Sequence, residues 1–120
     1  MPQSELIFYK EGETVLFDDW LKALPVKVQT KCLSLVGLLR SQGHELRRPI
    51  ADFLRDGIYE LCPSYQGVNY RILYFFGGKD IVVISHGLSK KAQVPATEID
   101  RTIEHKTKYE ANPKVHGVKR

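Results

Sequence analysis

The stretch VNYRILYFFGGKDIVVISH, Val68 to His86, decides the fold. From Val68 to Phe76 it is dense in β-branched and aromatic residues, with apolar side chains at both odd and even positions. That pattern reads as a strand covered on both faces. Gly77-Gly78-Lys79-Asp80 has the composition of a hairpin turn. Ile81 to His86 then returns as a second strand. One step upstream, Gly57 to Cys62 reads as another strand, joined to the first through the turn Pro63-Ser64-Tyr65-Gln66-Gly67. The three make an antiparallel meander whose middle strand is apolar enough to be central.

Upstream of the meander the period changes. Leu6 to Tyr9 is a short strand ending in the polar turn Lys10 to Glu13. Thr14 is placed to cap a helix from Val15 to about Leu24, with Leu16, Trp20 and Leu24 recurring every four residues. Pro25 separates it from a second helix, Val26 to Ser41, whose stripe is Val28, Cys32, Leu35 and Leu39, and Gly43 is its stop. Glu45 to Asp56 is looser. Downstream, Gly87 to Val94 reads as a basic loop, Pro95 opens a last helix to about Ala111, and Asn112-Pro113 stops it. The order β-α-α-β-β-β-α predicts an α+β domain: an N-terminal helical hairpin and a C-terminal helix packed on one face of a mostly antiparallel sheet. Residues 1–113 form one domain on this reading, and 114–120 a mobile basic tail.

At 120 residues the chain has the size of one domain. No run approaches a membrane span, and Met1 to Lys10 lacks the basic and apolar regions of a signal peptide, so a cytoplasmic protein is expected. Cys32 and Cys62 then read as reduced, buried thiols, and no Cys/His spacing suits zinc, so neither metal nor cofactor is expected. The net charge is +4 and unevenly placed: residues 1–60 carry 8 basic and 9 acidic side chains, residues 61–120 carry 10 and 5. A positive C-terminal half suits an anionic partner such as nucleic acid, or is simply a solvated surface.

Arg71 stands out, because a cation in a central strand must pair with an acid or face a ligand. One reading is a phosphate clamp; the other is an ion pair with Glu60 on the neighbouring strand. His86 ends the next strand and opens the basic loop, placed for acid–base work or as a polar end residue. Lys90-Lys91 is an anion-binding pair or a solvated one. Tyr59, Tyr65 and Tyr70 cluster around the hairpin, where they stack on bases or pack in the sheet. Arg47-Arg48 supplies further phosphate contacts or is an exposed loop pair. No GxGxxG, P-loop, Ser-centred elbow or spaced carboxylate pair is present, which sets aside nucleotide cofactors, serine hydrolysis and glycoside hydrolysis. Cations, a histidine and tyrosines around an antiparallel sheet suit cleavage of RNA by its own 2′-hydroxyl.

The segments Gly57 to Leu61, YRILYFF (Tyr70 to Phe76) and HGLSKK (His86 to Lys91), in this order and spacing, resemble the RelE/ParE toxin superfamily and within it the HigB-like, phage-derived group. The resemblance spans roughly residues 5–112. It implies the toxin of a type II toxin–antitoxin pair: an mRNA endoribonuclease (an mRNA interferase) acting on the ribosome, silenced by an antitoxin with a helix-turn-helix domain. By resemblance Arg71 matches the phosphate-contacting strand arginine, and Lys90 and Lys91 match the basic pair after the last strand. His86 and Tyr59 fall where polar active-site residues often sit. The chain departs from the pattern at Glu60 and Cys62, on a strand where many relatives carry a basic residue. The superfamily also holds ParE-like gyrase inhibitors, which share the fold and not the chemistry, so a non-enzymatic toxin and a catalytically silent relative stay open.

Overall fold

The computed structural model describes residues 3–119. Its elements are β1 (Glu5–Glu11), β2 (Thr14–Val15), α1 (Leu16–Lys22), α2 (Val26–Gln42), a 3-10 turn (Gly43–Glu45), β3 (Ala51–Arg55), β4 (Ile58–Leu61), β5 (Ser64–Tyr65), β6 (Val68–Gly78), β7 (Ile81–Ser89), α3 (Ala96–Ala111), α4 (Pro113–His116) and β8 (Gly117–Lys119). The expected α+β class holds. The sheet runs β2-β1-β7-β6-β4-β3, with β5 paired to β6 and β8 to β1. Among the described residues only β1 and β7 run parallel, with Leu6 beside Val82 and Phe8 beside Ile84. The other pairs are antiparallel.

The strand with apolar residues on both parities lies between β7 and β4, and alternation sends its side chains into two cores. Tyr70, Ile72 and Tyr74 join Val82, Ile84 and Leu61 beneath α1 and α2, where Phe17, Val28, Cys32 and Leu39 close over them. Phe75 joins Val83, Ile58, Ile7 and Tyr9 on the opposite face, covered by Ile99 and Tyr109 of α3. The helices therefore do not share one face: a strand apolar on both sides needs a layer on each, and α3 supplies the second.

Three further readings are corrected. Thr14 does not cap α1. Thr14 and Val15 pair with Glu11 and Lys10 as a short antiparallel ribbon, and the helix begins at Leu16 without a side-chain cap. The looser segment contains β3, which pairs with β4 as the sheet's outer strand. Its Asp52 and Arg55 hid the strand pattern, since an edge strand tolerates charge. Residues 114–119 are not a mobile tail. The Asn112 side chain accepts from the Val115 amide to cap α4, and β8 pairs with Ile7, Phe8 and Tyr9 of β1. Lys119 and Glu5 close that edge with an ion pair at 2.8 Å. Three strand residues behind a proline are too few to show a period; Arg120 lies outside the described residues.

Gly87 is fixed by packing. Trp20 of α1 donates its indole N–H to Ser89 Oγ at 3.0 Å and lies flat across β7. A Cβ at Gly87 would stand 2.3 Å from ring carbons of Trp20. Gly87→Ala is expected to destabilise the fold by about 2–3 kcal/mol, because the ring must move out of a filled core. Urea denaturation followed by Trp20 fluorescence checks this; an unchanged midpoint contradicts it.

Candidate functional site

Arg71, Glu60 and Cys62 point from adjacent strands to the α3 side of the sheet, as their register dictates. The Arg71 guanidinium is fully engaged. Nη1 lies 3.3 Å from Glu60 Oε1, Nη2 donates to the Ala92 carbonyl at 2.6 Å, and Nε donates to the Lys91 carbonyl at 3.4 Å. Both charged side chains are largely buried, at 15% and 11% exposure. The Glu60 contact is one of charge without an aligned hydrogen bond, since Oε1 accepts none. Cys62 sits beside the pair, and burial pushes its thiol up to about 11, which keeps it protonated and unreactive.

The two carbonyls that Arg71 holds belong to the basic loop. Arg71 thereby draws the loop onto the end of β6, and the Lys90 amide donates to the Asn69 carbonyl at 2.8 Å. Lys90 takes a left-handed backbone, φ 57°, to make that turn. Lys90 and Lys91 are exposed and form no ion pair among the described residues. With Gly67, Val68, Asn69 and Ala92 they line an open cleft of about 260 Å³. The result is a ledge on which two exposed lysines line the cleft while the Arg71 guanidinium anchors the backbone behind them, an arrangement that can receive a phosphate.

His86 lies on the same face, only 3% exposed. Its Nε2 is 2.8 Å from Glu98 Oε1, its Nδ1 is 2.8 Å from Ser85 Oγ, and Ser85 Oγ is 2.7 Å from His105 Nδ1. One proton arrangement satisfies all four groups with both imidazoles neutral. His105 donates to Ser85, Ser85 donates to His86, and His86 donates to Glu98. The His105 ring stacks on Tyr9 at 4.2 Å, and Tyr9 donates to Glu11 at 2.6 Å. Burial lowers both histidines, His105 to about 4, while the hydrogen bond from His86 and the neighbouring Arg101 guanidinium hold Glu98 below the usual carboxylate range against its own desolvation. Between about 4 and the ordinary histidine value of 6.5 the unfolded chain binds more protons than the folded one. Stability is therefore complete above pH 6.5 and falls as pH drops toward 4, by on the order of 2–3 kcal/mol from His105. Thermal melts across that range test this. A Ser85→Ala, His105→Phe variant is expected to lose most of the dependence; an unchanged slope contradicts the assignment.

Residues 19–107, well over half of the chain, match the family model Phage derived protein Gp49-like (DUF891). The chain belongs to this family. Gp49-like proteins fall within the RelE/ParE-like toxins of toxin–antitoxin pairs, so a cognate antitoxin is implied. No curated protein matches the chain. No helix among the described residues is long and apolar enough to cross a membrane.

In this Gp49-like toxin the sequence-predicted site residues divide. Arg71, Lys90 and Lys91 come together at the ledge, but Arg71 is an anchor with its fork occupied, so the ion pair with Glu60 is the correct reading of its partner. His86 is corrected to a sealed hydrogen-bonding residue beneath α3. Tyr59 lies on the other face of the sheet from Arg71, stacked on Tyr74 at 5.4 Å and sharing a basin with Arg47 and Arg48. Tyr70 is corrected to a core residue, 7% exposed and edge-on to Trp20 at 6.4 Å, so it offers no face to a base. Tyr65, in β5, is partly buried against the α1–α2 core. Glu98, Ser85 and His105 went unread; the stripe Glu98, Thr102, His105, Tyr109 at helical spacing was the available signal.

Proposed function

We propose that this toxin is an endoribonuclease that cleaves mRNA, working from the Lys90–Lys91 ledge. The observation that carries it is the Arg71 anchor: one buried guanidinium fixes the loop so that two lysines with no ion-pair partner among the described residues line a cleft in the positive half of the chain. The 2′-hydroxyl of the RNA gives up its proton to solvent as its oxygen attacks the adjacent phosphorus, the bond to the 5′-oxygen breaks and that oxygen takes a proton from water, leaving a 2′,3′-cyclic phosphate and a 5′-hydroxyl. Charge grows on the phosphoryl oxygens as this happens. Ammonium groups carried on an anchored loop stabilise that charge more than the ground state, which is where the rate enhancement arises. The proposal extends to the HigB-like group, action on ribosome-bound mRNA in the cytoplasm, and an antitoxin with a helix-turn-helix domain.

The occupied fork of Arg71 and the sealed His86 favour one alternative, a ParE-like toxin that binds a protein such as gyrase. Expression without antitoxin, followed by parallel assays of mRNA integrity and of DNA supercoiling, separates the two. Broken messages with normal supercoiling support the nuclease; intact messages with inhibited supercoiling support the alternative.

A further inference from the structure

Across the sheet from the ledge lies a second concavity, about 570 Å³, at the end of α2 and the start of the β3–β4 hairpin. That volume is in the range of small-ligand sites. Its walls combine rings and cations. Phe53 of the outer strand is 53% exposed and meets Tyr59 edge-on at 5.2 Å. His44 stacks on Phe76 at 3.6 Å and leaves its other face outward. Arg48 pairs with Asp52 at 2.9 Å. Arg47 donates to the His44 carbonyl and forms no ion pair among the described residues, so its charge is uncompensated.

We infer that this basin binds one nucleotide unit of single-stranded RNA, its base against Phe53 and His44 and its phosphate on Arg47. Phe53, Tyr59 and His44 gather three rings at one concavity beside an edge strand, which suits a flat occupant that stacks. An apolar occupant alone would not account for the Arg47 charge, which no carboxylate among the described residues neutralises. A base attached to a phosphate accounts for both, since every base has a stacking face and every link a negative charge. The inference rests on the proposal that RNA is the substrate, and it adds a contact remote from the cleavage ledge, which would set where along the strand the ledge acts.

The test uses a fluorescein-labelled 2′-O-methyl RNA oligonucleotide, which cannot be cut, with binding read by anisotropy. Phe53→Ala is expected to weaken binding about tenfold. Arg47→Ala is expected to weaken it and to reduce the slope of log affinity against log salt by about 0.7. Near-ultraviolet circular dichroism of both variants, with Phe53→Leu as a second variant retaining apolar bulk, shows that the fold is kept. Unchanged affinity in folded Phe53→Ala and Arg47→Ala overturns the basin, even if the wild type cleaves RNA. Unchanged RNA affinity with weakened antitoxin binding also overturns it and assigns the surface to the antitoxin. Binding that depends on Phe53 in a chain that cuts no RNA upholds the basin and overturns only the nuclease reading.

Discussion

Lys90→Ala combined with Lys91→Ala is expected to lower the rate of RNA cleavage about a thousandfold and to leave the folding midpoint within about 0.5 kcal/mol of wild type. The two halves of that expectation have separate causes. Both lysines are exposed and have no ion-pair partner among the described residues, so their removal leaves no buried partner unsatisfied. Both line the cleft where the phosphate charge would grow, so their removal acts on the transition state. Cleavage kinetics on ribosome-bound message give the first half, and urea denaturation gives the second. A folded double variant that still cuts at the wild-type rate would show that the ledge does no chemistry.

Arg71→Ala is expected to behave differently, with a loss of about 3–5 kcal/mol of stability. The substitution strands the Glu60 carboxylate in a largely buried position and releases the Lys91 and Ala92 carbonyls that hold the loop. The paired change Arg71→Met with Glu60→Leu is expected to recover most of that stability, because apolar residues of similar volume replace a buried pair at little cost. It should not recover cleavage, since the loop remains unanchored. Chemical denaturation of the single and double variants closes the cycle. Equal losses in Arg71→Ala and in the double variant would mean that Glu60 is not the partner that matters.

The meander from Ile58 to His86 was legible because its signals are local: alternation, β-branched and aromatic enrichment, and glycine-rich turns. The second helix was legible for the same reason, through the stripe from Val28 to Leu39; in α1 the spacing of Leu16, Trp20 and Leu24 marked a helix but not its buried face, since Leu16 and Trp20 pack into different cores and Phe17 is the buried residue. What escaped was set by partners far along the chain. Thr14 and Val15 are strand because β1 is there to pair with, and Gly117 to Lys119 for the same reason. At the site, the sequence named Arg71 and Lys90-Lys91 but could not choose between clamp and ion pair for Arg71. That choice depends on Glu60 and on two backbone carbonyls some twenty residues away. His86 looked available because it ends an apolar run. Its burial comes from Glu98 and His105 on a helix whose face the strand pattern does not specify.

The ends of the RNA fragments test the central claim most directly. Purified toxin is added to translating ribosomes, the message is recovered, and the chemistry at each break is determined. The nuclease reading predicts 2′,3′-cyclic phosphate on one fragment and 5′-hydroxyl on the next, absent when Lys90 and Lys91 are both alanine. Intact message, or breaks carrying 5′-phosphate, would contradict it.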